Sequence, residues 1–459
     1  MNMICDRPVV IVGAGIAGLT AGDVLSCSGV PVVLIEKTSD VGGLARTFVY
    51  GDFRFDIGPH RFHTYRKEIM DYILALLGSD AHTIDRQSSV YFNKKYFNWP
   101  LTSDALVKLP FGIALRCAWD LLKQPFTQRP QGESFEDYVI SKYGKTLYEL
   151  FFKQYTEKFA YVSCRDLHCS WASASVDRAI IDRNISMQSL FDVLRMVMLP
   201  KSVKMEFIYP EGGVARFCEY QKKRILSHGG QIHTDTCPAA IQHNSNSIIS
   251  ISANGKIFDT AFCIWTAPLP VLCEHLDIDS SGLRFMNTVI FNIILRRPME
   301  RKDQWIYFSS KGIVFARVSN PVQFHSGNTP DKSGSICVEV MCHTPEWWTD
   351  PSRLTDKVVS DLETVGLCFR KDIESIYIEK IPETYPIYTL NYPRLKRDIF
   401  HQLAEVKNLY ATGRCGGFFY NNMDDSIEMG MKIARHILNQ LGIAEPDWML
   451  QEDKREVMS

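Results

Sequence analysis

Residues 9–19 read Val9-Val10-Ile11-Val12-Gly13-Ala14-Gly15-Ile16-Ala17-Gly18-Leu19 and carry the strongest structural signal of the chain. Four β-branched residues predict a buried strand, and the G-x-G-x-x-G turn leads directly into an apolar helix. In such a turn Gly13 makes the tight bend, Gly15 lets a pyrophosphate approach the backbone, and Gly18 lets the helix pack on the strand. The helix N-terminus offers unpaired N–H groups and a positive dipole end to phosphates.

A second strand completes this unit. Val32-Val33-Leu34-Ile35 predicts another buried strand, and Glu36 follows at its carboxyl end, where an acidic side chain can bind a ribose hydroxyl. Lys37, next in the chain, is a further candidate for cofactor binding. The stretch therefore predicts a complete dinucleotide-binding βαβ unit of about 30 residues.

A second glycine segment follows in Val41-Gly42-Gly43-Leu44-Ala45-Arg46-Thr47. A glycine pair that includes Gly43 lets the backbone close on the second face of a pyrophosphate. Arg46 can neutralise that pyrophosphate through a bidentate contact.

With this second glycine pair, the chain resembles the FAD-binding flavoproteins of the amine oxidase, protoporphyrinogen oxidase and UDP-galactopyranose mutase group. Gly58-Pro59-His60-Arg61-Phe62-His63-Thr64 is similar to the G-x-H-x-F-H-T segment with which the mutases contact the flavin. The resemblance implies FAD as the cofactor, with Gly58, Pro59 and His60 against it.

The resemblance also implies cofactor contacts later in the chain. Cys237 follows a predicted strand whose end meets the adenine in this group. Near the C-terminus, a strand leads to Gly413-Arg414, and a helix begins at Asn422-Met423. In the family this helix points its positive end at the flavin pyrimidine ring, where it stabilises the reduced state.

Several short motifs extend the resemblance to the substrate site of the mutases, which convert a nucleotide-linked pyranose to its furanose. Their motifs place the following residues at the substrate: Tyr155, Arg178, Arg183, Arg317, Tyr385, Phe418, Tyr420 and Asn421. Arg317 matches an arginine that holds the diphosphate, and either Arg178 or Arg183 matches the arginine of a mobile loop. Packing for Tyr155 and a surface charge for Arg317 are the alternative interpretations.

Three departures from the mutase pattern weaken that match. Ala160 stands where the mutases carry a tryptophan, and Phe418 and Asn421 stand where they carry tyrosines on the diphosphate. A phenylalanine cannot hydrogen-bond a phosphate, so part of the diphosphate clamp is missing.

The length and the motif order predict an α/β protein. A Rossmann-type FAD-binding domain with a parallel sheet is combined with an inserted helical region and an antiparallel-sheet substrate domain. The predicted boundaries are 1–100, 204–279 and 396–445 for the FAD-binding domain, 101–203 for the helical insertion, 280–395 for the substrate domain and 446–459 for a tail.

Composition excludes some classes of protein. With 459 residues, a net charge of −1 and 22% charged residues, the chain has no electrostatic footprint for nucleic acid. Hydrophobic residues at 46% and aromatic residues at 12% suit an enzyme with an apolar pocket. The expected partner is a small molecule: a sugar, a nucleotide sugar or a lipid-linked glycoside.

Thirteen cysteines without C-x-x-C pairs indicate reduced thiols in a cytoplasmic protein, and no signal peptide is predicted. Cys164, His168 and Cys169 are interpreted as packing, so no metal site is expected. Two short apolar stretches, 105–122 and 190–200, are either buried or in peripheral contact with a membrane.

The favoured reaction is hydride transfer between a glycosyl or polyol substrate and flavin N5. His60 and His63 are the candidate catalytic residues, since a neutral histidine can take a hydroxyl proton as hydride leaves, and Arg317 is the third. The alternative is mutase-like isomerisation of a nucleotide sugar by reduced FAD. An oxidase of a hydrophobic substrate, of the protoporphyrinogen or amine oxidase type, and a non-catalytic FAD-binding protein are further alternatives.

Overall fold

The computed structural model describes residues 7–99, 111–123, 132–172, 206–244, 246–342 and 344–446. Its centre is a five-stranded sheet in which every neighbouring pair is parallel. The strands lie in the order Leu409–Ala411, Phe262–Trp265, Val9–Val12, Val32–Ile35 and Gln231–His233. The sheet thus joins the N-terminal βαβ unit to strands from the middle and the later part of the chain.

Both faces of this sheet are buried, which explains the unbroken apolar runs of its strands. On one face Val9 and Ile11 pack against three helices, Ile16–Cys27, Ala215–Ser227 and Met423–Leu441. On the other face lies a three-stranded antiparallel sheet of Pro238–His243, Ile248–Ala253 and Lys256–Asp259.

The second large sheet has seven strands, and all its pairings are antiparallel except one, between Ser88–Phe92 and Trp305–Phe308. Its order is Ile373–Ile387, Arg284–Leu295, Gly334–Cys342, Arg317–Ser319, Trp305–Phe308, Ser88–Phe92 and Lys95–Asn98. The sequence around Asn93-Lys94 predicts a hairpin, and this hairpin forms the edge of the sheet. The domain boundary at residue 100, between the FAD-binding domain and the helical insertion, stays a prediction.

Two short antiparallel pairs and the remaining helices complete the described structure. The pairs are Thr47–Tyr50 with Phe53–Asp56, and Ala81–Asp85 with Glu206–Pro210. The other helices are Lys67–Leu77, Phe111–Lys123, Phe135–Tyr143, Lys145–Leu147, Gln154–Ala160, Ser170–Ala172, Leu269–His275, Pro345–Thr349, Thr355–Thr364, Tyr392–Leu403 and Gly413–Gly416, with a π-helical stretch at Tyr148–Lys153. Short 3₁₀ turns occur at Gly78–Asp80, Pro321–Gln323, Ser326–Asn328, Pro351–Leu354 and Arg370–Asp372.

The predicted α/β class, with a Rossmann-type parallel sheet and an antiparallel sheet, is confirmed. The apolar residues of 313–318 predict one strand of the substrate domain, and this prediction is wrong in its first half. The carbonyls of Phe308 and Phe315 accept hydrogen bonds from buried Lys158, and the Val314 N–H donates to Asp361. Side chains thus take the bonds that a strand partner would make, and the strand begins only at Arg317.

Of the two apolar stretches, 190–200 lies outside the described residues, and 105–122 is described from Phe111. Leu115 and Trp119 on its helix are exposed, whereas Cys117 is buried. Within the described ranges, no helix combines the length and apolar character needed to cross a bilayer.

Candidate functional site

The glycine turn after the first strand has the geometry of a phosphate site. Gly13 has a φ of +99°, a conformation that favours glycine, and Gly15 is the N-cap of the helix Ile16–Cys27. No side chain caps this helix, and its first turn holds no acidic residue. Its first N–H groups and positive dipole end are therefore available to an anion.

The two glycine segments meet at this turn. Gly15 and Gly42 form an isolated β-bridge, and a Cβ on Gly43 would lie 3.2 Å from the Gly15 Cα. A Cβ on Gly15 itself would meet only the Gly43 Cα, at 3.9 Å, so the space beside Gly15 is open. Arg46 donates from Nε to the Gly43 carbonyl at 2.9 Å, which holds its side chain at the same place. The arrangement leaves room for a pyrophosphate at the predicted position.

Glu36 is buried at the end of the second strand and has a structural role beside the predicted one. Its Oε2 accepts the Ala14 N–H at 2.9 Å, and its Oε1 accepts the Thr38 N–H and hydroxyl at 3.0 and 2.8 Å. Each carboxylate oxygen can accept more than one hydrogen bond, so a ribose hydroxyl can still bind.

Cys237 and Lys37, which are also predicted around the adenine and ribose, lie near Glu36 in the structure. Thr236 donates its N–H to the Glu36 carbonyl at 2.8 Å, which places Cys237, an exposed residue, directly after that contact. Lys37 is half exposed, with its Nζ 3.9 Å from a carboxylate oxygen of Glu383.

The segment predicted to meet the flavin ring contains a closely packed glycine. Gly58 has a φ of +73°, and a Cβ there would lie 2.6 Å from the Glu339 carboxylate. Pro59 is buried, and the Nδ1 of the next residue, His60, is buried without a hydrogen-bond partner among the described residues. Burial, reinforced by Arg414, Arg317 and Arg61, lowers the pKa of His60 to about 3, so its imidazole is neutral at physiological pH.

His63 is the second predicted catalytic histidine. Its Nδ1 lies 3.1 Å from the Glu206 carbonyl, while its Nε2 is buried without a partner among the described residues. Burial lowers the pKa of His63, and the charges of Arg61 and Arg86 lower it further.

At the later motif, Gly413 has a φ of +76° and Arg414 is held by protein carbonyls. Arg414 donates to the Thr384 carbonyl at 3.1 Å and to the Asn421 carbonyl. Asn422 caps the helix that begins at Met423, through a capping box with Asp425. The predicted helix N-terminus is therefore present, and some of its backbone N–H groups already donate hydrogen bonds within the protein.

Arg317 has an anion partner within the protein. Its Nε and Nη2 donate to the two oxygens of Glu339 at 2.5 and 2.6 Å, and Nη2 also donates to the Tyr385 hydroxyl at 3.1 Å. Glu339 raises the pKa of Arg317 against the opposing effect of burial. The surface-charge interpretation of Arg317 is wrong, because its side chain is 15% exposed.

An aromatic cavity of about 110 Å³ lies beside this ion pair. Tyr155 and Tyr420, both predicted at the substrate, line this cavity, and Tyr385 packs edge-on against Tyr420 with 5.0 Å between the ring centroids. The described lining residues are Val90, Trp99, Phe151, Phe152, Tyr155, Thr156, Phe159, Trp171, Tyr307, Ser309, Arg317 and Tyr420.

Two predicted substrate residues lie elsewhere. Phe418 is fully buried, 5.1 Å from Phe285 between ring centroids. Asn421 is also buried, and its Oδ1 accepts a hydrogen bond from Ser426 at 3.2 Å. The Phe418 side chain therefore serves packing, and the Asn421 side chain bonds other side chains of the protein. Arg178 and Arg183 lie outside the described residues.

Sequence reasoning missed Glu339, Tyr307 and Arg61. Glu339 did carry a signal, because an acidic residue within the apolar strand Gly334–Cys342 needs a partner. Tyr307 and Arg61 had no such signal, since their surroundings depend on tertiary packing.

The structure also gathers His82, Glu211 and His325, whose potential ligand atoms lie within 4.8 Å of one another. The Nδ1 of His325 accepts the Gly327 N–H at 3.1 Å and caps a 3₁₀ turn. Among the described residues this is the one group of three metal-ligating side chains, and we assign no metal to it.

Comparison with known proteins agrees with this geometry. Residues 11–76 match the model of the NAD(P)-binding Rossmann-like domain. The chain superposes on reduced UDP-galactopyranose mutase with a TM-score of 0.82 at 20% identity, over 96% of this chain and 97% of that one. A putative protoporphyrinogen oxidase from Exiguobacterium sp. 255-15 gives a TM-score of 0.74 at 15% identity, over 95% and 100%. The chain has the fold of the FAD-dependent oxidoreductases.

The matches to curated sequences are shorter. L-amino-acid oxidase from Crotalus adamanteus is 43% identical over 89 residues, which are 19% of this chain and 17% of that protein. A probable UDP-galactopyranose mutase from Klebsiella pneumoniae is 25% identical over 163 residues, 33% of this chain and 41% of that protein. The chain thus matches less than half the length of either relative. The fold and these local matches both indicate FAD as the cofactor. The prediction of FAD is therefore confirmed.

Proposed function

We propose that the protein is an FAD-dependent oxidoreductase that transfers a hydride between a glycosyl or polyol substrate and the flavin. When bound, FAD supplies the electron-accepting N5 position. Gly13, Gly15 and Gly43 would hold its pyrophosphate, and Glu36 its ribose. The residues present fit this group, because the uncapped helix end faces an open space beside Gly15.

The observation that carries the proposal is the contact between the aromatic cavity and the flavin-facing segment. Arg317 lines the cavity and pairs with Glu339, whose carboxylate lies against Gly58. A substrate in the cavity is thereby brought next to the segment expected at the flavin ring. Aromatic walls such as Tyr155 and Tyr420 suit the apolar faces of a sugar ring, and their hydroxyls suit its polar edge.

His60 is proposed to orient the substrate rather than to store its proton. A neutral imidazole can accept a hydrogen bond from a substrate hydroxyl. A group with a pKa of about 3 binds a proton poorly, so His60 would orient the hydroxyl while the hydroxyl proton passes to water. Tyr385 accepts a hydrogen bond from Arg317, which leaves its own hydroxyl hydrogen for the substrate.

Mutase-like isomerisation of a nucleotide sugar is the second candidate, favoured by the likeness to UDP-galactopyranose mutase over nearly the whole chain. The engagement of Arg317 by Glu339 and the burial of Phe418 and Asn421 favour the oxidoreductase instead. Arg317, Phe418 and Asn421, whose positions were expected at a diphosphate, instead contact other residues of the protein.

Anaerobic mixing separates the two candidates. Oxidised holoprotein is mixed with free sugars, polyols and nucleotide sugars while flavin absorbance is followed. Bleaching by substrate alone supports the oxidoreductase. Conversion of a nucleotide sugar only after prior reduction, without net bleaching, would replace it with the mutase. Bleaching by an apolar substrate alone would instead favour the protoporphyrinogen or amine oxidase type.

A further inference from the structure

Buried nitrogen atoms without partners gather around Trp305. The Arg61 Nε, the His63 Nε2 and the Trp305 Nε1 are each buried, and none has a hydrogen-bond partner among the described residues. Arginine and tryptophan nitrogens can only donate, whereas His63, whose Nδ1 donates to the Glu206 carbonyl, can donate through Nε2 only as the imidazolium. Unpaired buried donors are costly and rare in folded proteins, so the Arg61 Nε and the Trp305 Nε1 side by side require an explanation.

Aromatic stacking holds these groups together. The Arg61 guanidinium carbon lies 4.6 Å from the Trp305 ring centroid and 5.2 Å from that of Phe207. His63 packs edge-on against Phe207, with 5.9 Å between the ring centroids. Arg86 also lies over Trp305, at 5.3 Å. The cluster is therefore assembled from the flavin-facing segment, a neighbouring loop and the seven-stranded sheet.

Arg61 has no carboxylate partner among the described residues. Its Nη1 donates weakly to the Pro59 carbonyl at 3.4 Å. Burial lowers the pKa of Arg61, and the charge of Arg317 adds to this effect. The Arg61 side chain is partly exposed, but its Nε is buried. A guanidinium withdrawn from water without an anion is unfavourable, whereas one that meets an anion on ligand binding is stabilised.

The cluster adjoins the aromatic cavity. Trp305 packs edge-on against Tyr307, with 6.5 Å between the ring centroids, and Tyr307 lines the cavity. A substrate in the cavity can therefore extend a charged group towards Arg61.

We propose that Arg61, His63 and Trp305, with Arg86 beside them, form a subsite for a phosphoryl group of the substrate. Guanidinium and indole donors suit an anion with several oxygens, such as a phosphate or diphosphate, and a bound anion also favours protonation of the neighbouring His63 imidazole. The inference rests on the proposed function for the position of the substrate cavity. It places the anion at Arg61 rather than at Arg317, whose charge is already met by Glu339.

Binding of inorganic pyrophosphate to the oxidised holoprotein tests this subsite without any turnover. Calorimetric titration should show saturable binding at one site. Arg61→Gln should weaken it about ten- to a hundredfold, as expected for a lost charge-assisted contact. Arg61→Lys should recover part of the affinity, since a point charge replaces a planar fork. Trp305→Phe keeps the ring, removes only the N–H and should weaken binding less.

Arg301→Gln is the matched control. Arg301 also stacks on an aromatic ring, 3.9 Å from the Tyr96 centroid, but it is paired with Asp303. Pyrophosphate affinity should be unchanged in this variant. Flavin absorbance and thermal unfolding show that each variant is folded, and Trp305→Phe serves if Arg61→Gln does not fold.

Two further titrations identify the source of the phosphoryl group. UDP represents a nucleotide sugar and geranyl diphosphate represents a lipid-linked sugar, and the tighter ligand names the source. Wild-type protein that binds none of the three, or a folded Arg61→Gln that binds pyrophosphate like the wild type, would overturn the subsite. Absence of bleaching by any sugar would refute the proposed reaction but leave this binding result intact.

Discussion

Arg317 and Glu339 face each other across two adjacent antiparallel strands and form a two-point ion pair, with N–O distances of 2.5 and 2.6 Å. Both side chains are largely buried, at 15% and 3% exposure. Glu339 also lies against Gly58, so the pair connects the aromatic cavity to the segment proposed to meet the flavin. The arginine is thus first a structural partner of the glutamate.

Removing one member of this pair should destabilise the fold. Arg317→Ala leaves a buried carboxylate without its counterion, which typically costs about 3–5 kcal/mol. The free energy of unfolding, measured in urea, should fall by that order in Arg317→Ala and in Glu339→Ala. The double variant should lose less than the sum of the two. Additive losses, or no loss in either single variant, would show that the pair contributes little to stability.

Gly15→Val should yield folded protein that does not retain FAD. The φ and ψ of Gly15, −72° and 173°, are open to any residue, so the backbone tolerates the change. The new side chain enters the open space beside Gly43, where the pyrophosphate is expected. Flavin absorbance of the purified protein is the measurement, and Gly312→Ala, at an exposed glycine, is the control. A yellow, stable Gly15→Val variant would refute the phosphate assignment.

Glu36→Ala should weaken FAD binding by about 1–3 kcal/mol, because a hydrogen bond is lost and a partner is left unpaired. Titration of apoprotein with FAD measures this change. Part of the effect belongs to the turn, since Glu36 also accepts from Ala14 and Thr38. Thr38→Val removes only the hydroxyl donor to Glu36 and should have a smaller effect. Equal losses in both variants would assign Glu36 to the turn alone.

Acid should destabilise the protein through His60. Its pKa in the folded state, about 3, lies below the ordinary value of 6.5, so the unfolded chain binds the proton first as pH falls. The free energy of unfolding therefore begins to fall below about pH 6.5 and continues to fall to about pH 3. At pH 5 it is lower by about 2 kcal/mol. His60→Gln should lose stability less steeply between pH 7 and 5.

The comparison with His60→Gln is needed because Asp56 acts in the opposite direction. Its pKa is raised by burial to about 6, so the folded state takes up that proton first between pH 6 and 3.8, which stabilises it. Asp56 is present in both proteins, and the difference between them isolates His60. If the free energy of unfolding in urea falls with pH equally steeply in the two proteins, His60 is protonated in the folded protein.

The phosphate turn and the central strands could be predicted because their determinants are local. Gly13 has a positive φ, and strands buried on both faces appear as continuous apolar runs. The partner of Arg317 could not be predicted, because the register that sets it opposite Glu339 is a tertiary property. The burial of Phe418 likewise depends on Phe285, more than 100 positions earlier in the chain. Short motifs therefore predicted the backbone geometry of the glycine turns, whereas the partners of Arg317 and Phe418 depend on contacts between distant parts of the chain.

The contact between the helices Ile16–Cys27 and Met423–Leu441 bears on how the protein is made. A Cβ on Gly430 would lie 2.5 Å from the Ala17 carbonyl, so the two helices touch along their backbones. At 5–20 residues per second, a ribosome needs tens of seconds to add the roughly 400 residues between them. During that interval the apolar face of the helix Ile16–Cys27 lacks the later helix that packs on it in the folded protein. FAD loading should therefore follow release of residues 423–441, and the emerging chain should depend on chaperones until then.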